Sequence, residues 1–304
     1  MSPNSNSSPP FLFQSDEGRQ IIRAIAKKRL TSFDPHDYSV EVAAGILDRQ
    51  DVLVRAGCGA GKTGTIALVA VVFEEILRDR TLVPNFKPWF HKEDPAIVVI
   101  CPTDALEINI ESKMLLLGIS AVALNSKVIG KAEKARQANE LWERASRARI
   151  LLMSPELLQS DTLRDRLELD KPEKESKFKS RCSLLVCNEV HLVYTWGRRF
   201  RKAYKNIGRM RARLGSPGLL LLTATLQDGK RLSWVLKYFG LIPGEYLDVH
   251  LSNWRPEICV ITSTLESSLA SSYNFPEFRW IVGLSGITIL FIPDQSTALR
   301  ITLY

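Results

Sequence analysis

No apolar run in these 304 residues reaches the roughly 18 needed to cross a bilayer, so no membrane span is expected. The opening MSPNSNSSPP lacks the charged-then-apolar order of a secretory leader, and residues 1–14 read as a disordered tail. Cysteine is sparse: five residues (58, 101, 182, 187, 259) are scattered, with no CxxC pair. That pattern supports neither a zinc site nor a disulfide framework, and reduced thiols of a cytosolic or nuclear protein are expected. No segment repeats at a fixed period. Acid is missing from one place in particular. Residues 198–213, RRFRKAYKNIGRMRAR, hold eight Lys/Arg and no Asp or Glu. Taking those eight from the chain's 41 basic residues leaves 33 against 33 acids, so the whole +8 charge can be assigned to this stretch. A concentrated cationic stripe suits a polyanion, although a solvated helix face would read the same way.

What is present is an alternation. At 45% hydrophobic and 24% charged, the chain has the composition of a globular protein. Ser15-Asp16 can cap a helix with Ile21, Ile22, Ile25 and Leu30 on one face, and a second helix fits 39–48. Six short, nearly all-apolar runs then predict strands: 51–55, 96–101, 120–124, 149–153, 183–187 and 218–223. Amphipathic or charged stretches such as 131–147 separate them. Strands of that kind belong to a parallel sheet covered on both faces, here a doubly wound α/β domain. The charged segment 163–181 reads as a solvated loop or helix. The expected organisation is a tail (1–14), an α/β domain with N-terminal helices (15–245), a linker (246–274) and an incomplete second α/β unit (275–304).

Three strand ends carry chemistry. RAGCGAGKT (55–63) follows a predicted strand and fits the P-loop pattern with Ala56 at its first position. Gly57, Gly59 and Gly61 let the backbone of Gly57, Cys58, Gly59, Ala60 and Gly61 curl its N–H groups towards phosphate oxygens. A helix N-terminus behind the loop adds its positive dipole end. Lys62 is placed for the β- and γ-phosphates and the Thr63 hydroxyl for magnesium. The bland alternative is a glycine turn without function. LLVCNEVH (184–191) ends a second apolar strand in Asn188 and Glu189. In that position Asn188 would be a weakened magnesium ligand and Glu189 would orient or deprotonate water. LLTATL (221–226) closes a third strand with Thr223 and Thr225, a weak motif alone.

The order and spacing of these motifs resemble the first motor domain of superfamily-two helicases, most closely the RecQ-like DNA helicases. The resemblance spans about 33–260 and includes AGCGAGKT, CPTDAL (101–106), LLMSPELL (151–158), NEVH (188–191) and TAT (223–225). Its most specific piece is TWGRRFRKAY (195–204), which is similar to the aromatic-rich loop that couples single-stranded DNA binding to hydrolysis in that family. The resemblance therefore implies a RecA-like fold, ATP and Mg²⁺ as cofactors, and single-stranded or branched DNA as partner. It implies base stacking by Trp196 and Phe200, and phosphate contacts by Arg198, Arg199, Arg201 and Lys202. Core packing is the plain alternative for both aromatics. A role in recombination, repair or replication follows, with a nuclear setting in a eukaryote and a cytoplasmic one otherwise.

Three features depart from the family pattern. Asn188 stands where aspartate is usual, and Ser39 stands where the family carries an adenine-reading glutamine. ILFIPD (289–294) resembles the start of a second motor domain whose remainder is absent from this sequence, so a protein partner completing it is conceivable. A 3′–5′ helicase and a non-catalytic nucleotide- and DNA-binding module are thus the competing expectations. A P-loop transporter or kinase subunit leaves the W-G-x-x-F-R loop unexplained.

Overall fold

The computed structural model describes residues 11–84, 86–91, 93–172, 176–195 and 202–254, leaving the side chains of Lys202 and Lys205 aside. In chain order the elements are α1 (Asp16–Arg29), α2 (Asp37–Leu47), β1 (Asp51–Arg55), α3 (Lys62–Arg78), β2 (Ala96–Ile100) and α4 (Asp104–Leu116). Next come β3 (Ala121–Leu124), α5 (Ser126–Lys134), α6 (Ala138–Arg147), β4 (Ile150–Met153), α7 (Pro155–Leu158), α8 (Asp161–Arg166) and α9 (Lys177–Arg181). The last are β5 (Cys182–Asn188), α10 (His191–Thr195), a 3₁₀ turn (Lys202–Asn206), α11 (Ile207–Arg213), β6 (Gly218–Thr223), α12 (Lys230–Phe239) and β7 (Tyr246–His250).

All seven strands join one parallel sheet in the order β3-β4-β2-β5-β6-β1-β7. Each of the six predicted strands is there. Their side chains alternate between faces, as strand geometry requires. Val52, Val54, Ile97 and Val99 pack on one side with α1, α2 and α3, while Leu53, Val98, Ile100 and Leu221 pack on the other. Both faces are covered, which is why the strands read as continuous apolar runs. At the N-terminus Ser15 Oγ accepts the Gly18 N–H at 3.1 Å, the expected cap of α1.

Four expectations need correction. The boundary at 245 falls too early, because β7 (246–250) pairs with β1 and completes the sheet. Its YLDVH sequence has no buried residue and carries Asp248 and His250 exposed, and so lacks the continuous apolar signal. The tail does not extend to 14, because Phe13 is buried in the core and the N–H groups of Phe13 and Gln14 donate to the Asp48 carboxylate at 2.8 and 2.9 Å. Segment 163–181 is not merely solvated: Leu163, Leu167, Leu169 and Phe178 are buried in the core. The cationic stripe is also not all free. Arg211 makes two 2.7 Å contacts to Asp51 at the base of β1, and Tyr204, Ile207 and Met210 are buried.

The chain divides into Met1–Asn253 and Trp254–Tyr304. The expected second unit (275–304) and most of the expected linker lie outside the described residues, as do Trp196, Arg198, Arg199, Phe200 and Arg201.

Candidate nucleotide-binding site

Parallel strands put their C-terminal ends on one edge, and β5, β6 and β1 are neighbours there. The segments leaving them, 189–190, 224–229 and 56–61, are thereby brought together. Ala56 N–H donates to Thr223 O (2.9 Å) and Val190 N–H to Leu222 O (2.9 Å), extending the ladders past the strand ends. Between β1 and α3 the loop turns through left-handed backbone at Gly59 (φ 82°) and Gly61 (φ 88°), conformations that cost glycine nothing. Gly61 caps the 17-residue α3, so the free N–H groups of a long helix face the loop's mouth. Tyr38 OH braces the turn from α2 by donating to Ala60 O at 2.7 Å.

A cavity of about 880 Å³ opens over this loop. Cys58, Gly59, Gly61, Lys62 and Thr63 line it on one side, and Asn188 and Glu189 on another. The loop lysine and the acid that the sequence pairs therefore do converge. Lys62 Nζ is engaged with the loop itself, donating to Ala56 O (2.8 Å) and Gly57 O (2.9 Å). Gly57 faces elsewhere: a Cβ on it would lie 3.1 Å from Asn253 Oδ1. Asn253 in turn donates from Nδ2 to Ala224 O at 2.9 Å.

At the end of β5, Asn188 is buried and its Oδ1 accepts the Glu189 N–H at 3.1 Å. Glu189 itself has φ 56°, a left-handed conformation unusual for glutamate and costing on the order of 1–3 kcal/mol. Such strain persists only where surroundings impose it, here the Val190–Leu222 bond and the turn into α10. His191 Nδ1 lies 3.0 Å from Thr223 Oγ1 and 3.3 Å from Glu189 Oε2. Burial, with Lys62 acting in the same sense, lowers the His191 pKa from 6.5 despite Glu189, so the ring is neutral at pH 7. Thr223 Oγ1 also accepts the Thr225 N–H at 3.3 Å. Glu189 Oε2 and the first threonine of the TAT segment thus meet at one imidazole nitrogen.

Beyond the loop the cavity reaches Phe33, Pro35, His36 and Ser39. Ser39 is buried, with Oγ 2.7 Å from Thr65 Oγ1. Behind the TAT segment a second cavity of about 320 Å³ is lined by Arg55, Thr225, Asp228, His250 and Asn253. Arg55 is buried there and donates to Asp228 (2.6 Å) and Asp248 (2.8 Å).

Arg55 and His191 are the residues to which sequence reasoning assigned no role. A charge closing an apolar strand just before the glycine loop was a usable signal for Arg55. Of the partners of His191, Glu189 is two residues away, but Thr223 stands at the end of β6 and carries no local signature. The described part of the stripe, 202–213, packs as a turn and helix beside α7, where Gln159 Oε1 accepts from Asn206 Nδ2 at 2.7 Å.

Comparison with known proteins agrees with this architecture. Residues 38–232 match the DEAD/DEAH box helicase family. The chain is 26% identical over 222 residues to the ATP-dependent DNA helicase Q5 of Rattus norvegicus, covering 72% of this chain and 20% of that one. It is 25% identical over 295 residues to the ATP-dependent DNA helicase Q1 of the same species, covering 95% and 42%. A probable ATP-dependent DNA helicase RecS of Bacillus subtilis (strain 168) is 36% identical over 106 residues, 34% of this chain and 18% of the other. The chain thus spans only about a fifth to two fifths of these relatives' lengths. Among solved structures, the DUF1998 helicase MrfA bound to DNA and AMPPNP shares the fold with TM-score 0.51 at 15% identity, over 83% of this chain and 31% of that one. With most of its length matched, the chain belongs to the DEAD/DEAH box helicase family, as a RecQ-like member represented by its first motor domain.

Proposed function

We propose that this chain is the ATP-binding motor half of a 3′–5′ DNA helicase of RecQ type, which hydrolyses ATP with Mg²⁺ and couples turnover to single-stranded or branched DNA. The observation carrying the reading is the convergence of Lys62, Thr63, Asn188 and Glu189 on one cavity at adjoining strand ends. Lys62 would exchange the carbonyls of Ala56 and Gly57 for β- and γ-phosphate oxygens. Glu189 would orient the attacking water, with neutral His191 positioning its carboxylate and passing its state to Thr223 and Thr225. The 3′–5′ direction rests on the RecQ likeness alone.

The donor set fits a hard cation. Thr63 Oγ1 and the Asn188 amide oxygen are oxygen ligands, as Mg²⁺ prefers. Among the described residues no group of three or more His, Cys, Asp or Glu is arranged to hold a metal, so the ion would depend on the nucleotide's own oxygens. Mg²⁺ when bound would neutralise charge on the β- and γ-phosphates. Trp196, Arg198, Arg199, Phe200, Arg201 and Lys202 would contact the DNA strand. A second motor domain, in the same polypeptide or in a partner, would supply the arginine that such motors place on the γ-phosphate, worth ~10³–10⁵ in turnover. A nuclear setting goes with this reading in a eukaryote.

One observation favours a second reading, a nucleotide- and DNA-binding module without turnover. Asn188 brings no charge, and its oxygen already accepts from Glu189 N–H. ATP hydrolysis measured with and without single-stranded DNA, on this chain and on Asn188→Asp, separates the two. The motor reading expects stimulation by DNA and a further gain of roughly 10- to 100-fold from the restored carboxylate, given that one electrostatic partner is worth ~10²–10³. Tight ATP binding with no turnover in either form establishes the module instead.

A further inference from the structure

We infer that the far end of the large cavity grips a nucleobase by its faces and does not read its edge, so that this chain takes nucleoside triphosphates without selecting adenine. The inference rests on the nucleotide-binding reading above and specifies its substrate class. A triphosphate laid from Glu189 across the loop directs its nucleoside towards the segment before α2, because that segment forms the cavity wall beyond Gly61 and Gly64.

Two buried polar side chains belong to this region, Ser39 in the wall and Tyr38 behind it, and both are turned away. The Ser39 hydroxyl lies 2.7 Å from Thr65 Oγ1, inside the contact between α2 and α3. The Tyr38 hydroxyl donates to Ala60 O at 2.7 Å, beneath the phosphate loop. The rest of this wall is the rings of Phe33, Pro35 and His36, and the polar edge among them, the His36 imidazole, belongs to an exposed residue and competes with water. The Phe33 ring comes within 3.1 Å of the place a Cβ on Gly64 would take, so it lies flush against the start of α3. His36 stacks nearly parallel on Tyr38, with ring centroids 6.0 Å apart and planes at 16°. Pro35 is buried between them in sequence.

Ser32 and Asp34 also line this end, but both are exposed. A hydrogen bond from either to a base replaces one to water, and so discriminates weakly. Aromatic faces accept any base, because every base has a π-face. A site built on buried hydrogen bonds rejects the wrong ligand by ~10⁴–10⁵, whereas an apolar one manages only ~10².

The test is competition binding on the wild-type chain. ATP and GTP each displace a ribose-labelled fluorescent ATP analogue, and Phe33→Ala and Ser39→Ala are run alongside. The expected result is affinities for ATP and GTP within about tenfold of each other. Phe33→Ala should weaken both by the same factor, on the order of tenfold for one lost stacking contact. Ser39→Ala should leave their ratio unchanged. An ATP preference above about a hundredfold overturns the inference and leaves the nucleotide site standing. A comparable GTP preference also overturns it, by assigning edge recognition to the Asp34 carboxylate. Failure of the labelled analogue and of both triphosphates to bind overturns the nucleotide reading and this inference together.

Discussion

Glu75 and Glu189 are two carboxylates of one domain held in opposite ways. Glu75, on α3, is about 1% exposed and meets Arg29 at 3.0 Å, with Lys28 and Arg78 also in contact. Burial pushes its carboxyl up, but the hydrogen bonds from Arg78, Lys28 and Arg29 outweigh burial and hold it at about 2. Glu189 is partly open to the cavity, its ion-pair neighbour is a neutral histidine, and its backbone is in the left-handed region. One acid is saturated with cations and fastens α1 to α3. The other is under-neutralised and strained, which suits a group that must respond to charge arriving beside it.

The contrast can be broken from either side. Glu75→Ala leaves cationic groups beside a buried gap, and should cost about 3–5 kcal/mol of stability in urea unfolding. A loss below ~1 kcal/mol would reduce the cluster to an exposed pair. Glu189→Gln should instead lower turnover by ~10²–10³ with nucleotide affinity unchanged. Lost affinity with intact turnover would instead make Glu189 a nucleotide-binding group.

Acid sharpens the difference. His191 has its pKa lowered by burial, so the unfolded chain takes up its proton first as pH falls below 6.5. Stability is then lost progressively down to the lowered folded value. Glu75 has its pKa depressed from 4.5 to about 2, so its contribution, ~3 kcal/mol, is complete above 4.5 and disappears as pH falls towards 2. Unfolding free energies measured across this range should show both steps in the wild type. His191→Gln should remove only the upper step and Glu75→Gln only the lower. The smallest effect is the most diagnostic. Glu189→Gly should raise stability by about 0.5–1 kcal/mol, because relief of backbone strain exceeds the entropy glycine costs. A destabilised glycine variant would mean that the φ 56° backbone is not strained.

How much of this was readable from residues alone depends on range. Six strands, five of them inner and the sixth the edge strand β3 with all four residues buried, were readable because a doubly covered strand must be apolar throughout. The loop at 56–63 was readable because left-handed turns need glycine. β7 escaped because, unlike the other edge strand β3, it has no buried residue and carries Asp248 and His250 exposed, and Leu163, Leu167, Leu169 and Phe178 escaped because the lysines, arginines and acids around them dominate the local average. The bonds Arg211–Asp51 and Arg55–Asp248 join residues 160 and 193 positions apart, and no local pattern encodes such partners. Position 39 was readable as a departure from its family. That its hydroxyl turns towards Thr65 required coordinates.

The amide of Asn253 occupies the space into which a side chain at position 57 would grow. Smallness at 57 therefore serves the polypeptide leaving the sheet as well as any incoming anion. A methyl group there would press on Asn253 and loosen its grip on the Ala224 carbonyl before it touched a phosphate. Weakened binding in a Gly57→Ala variant would thus report two disturbances at once, one of them on the far side of the loop from the ligand.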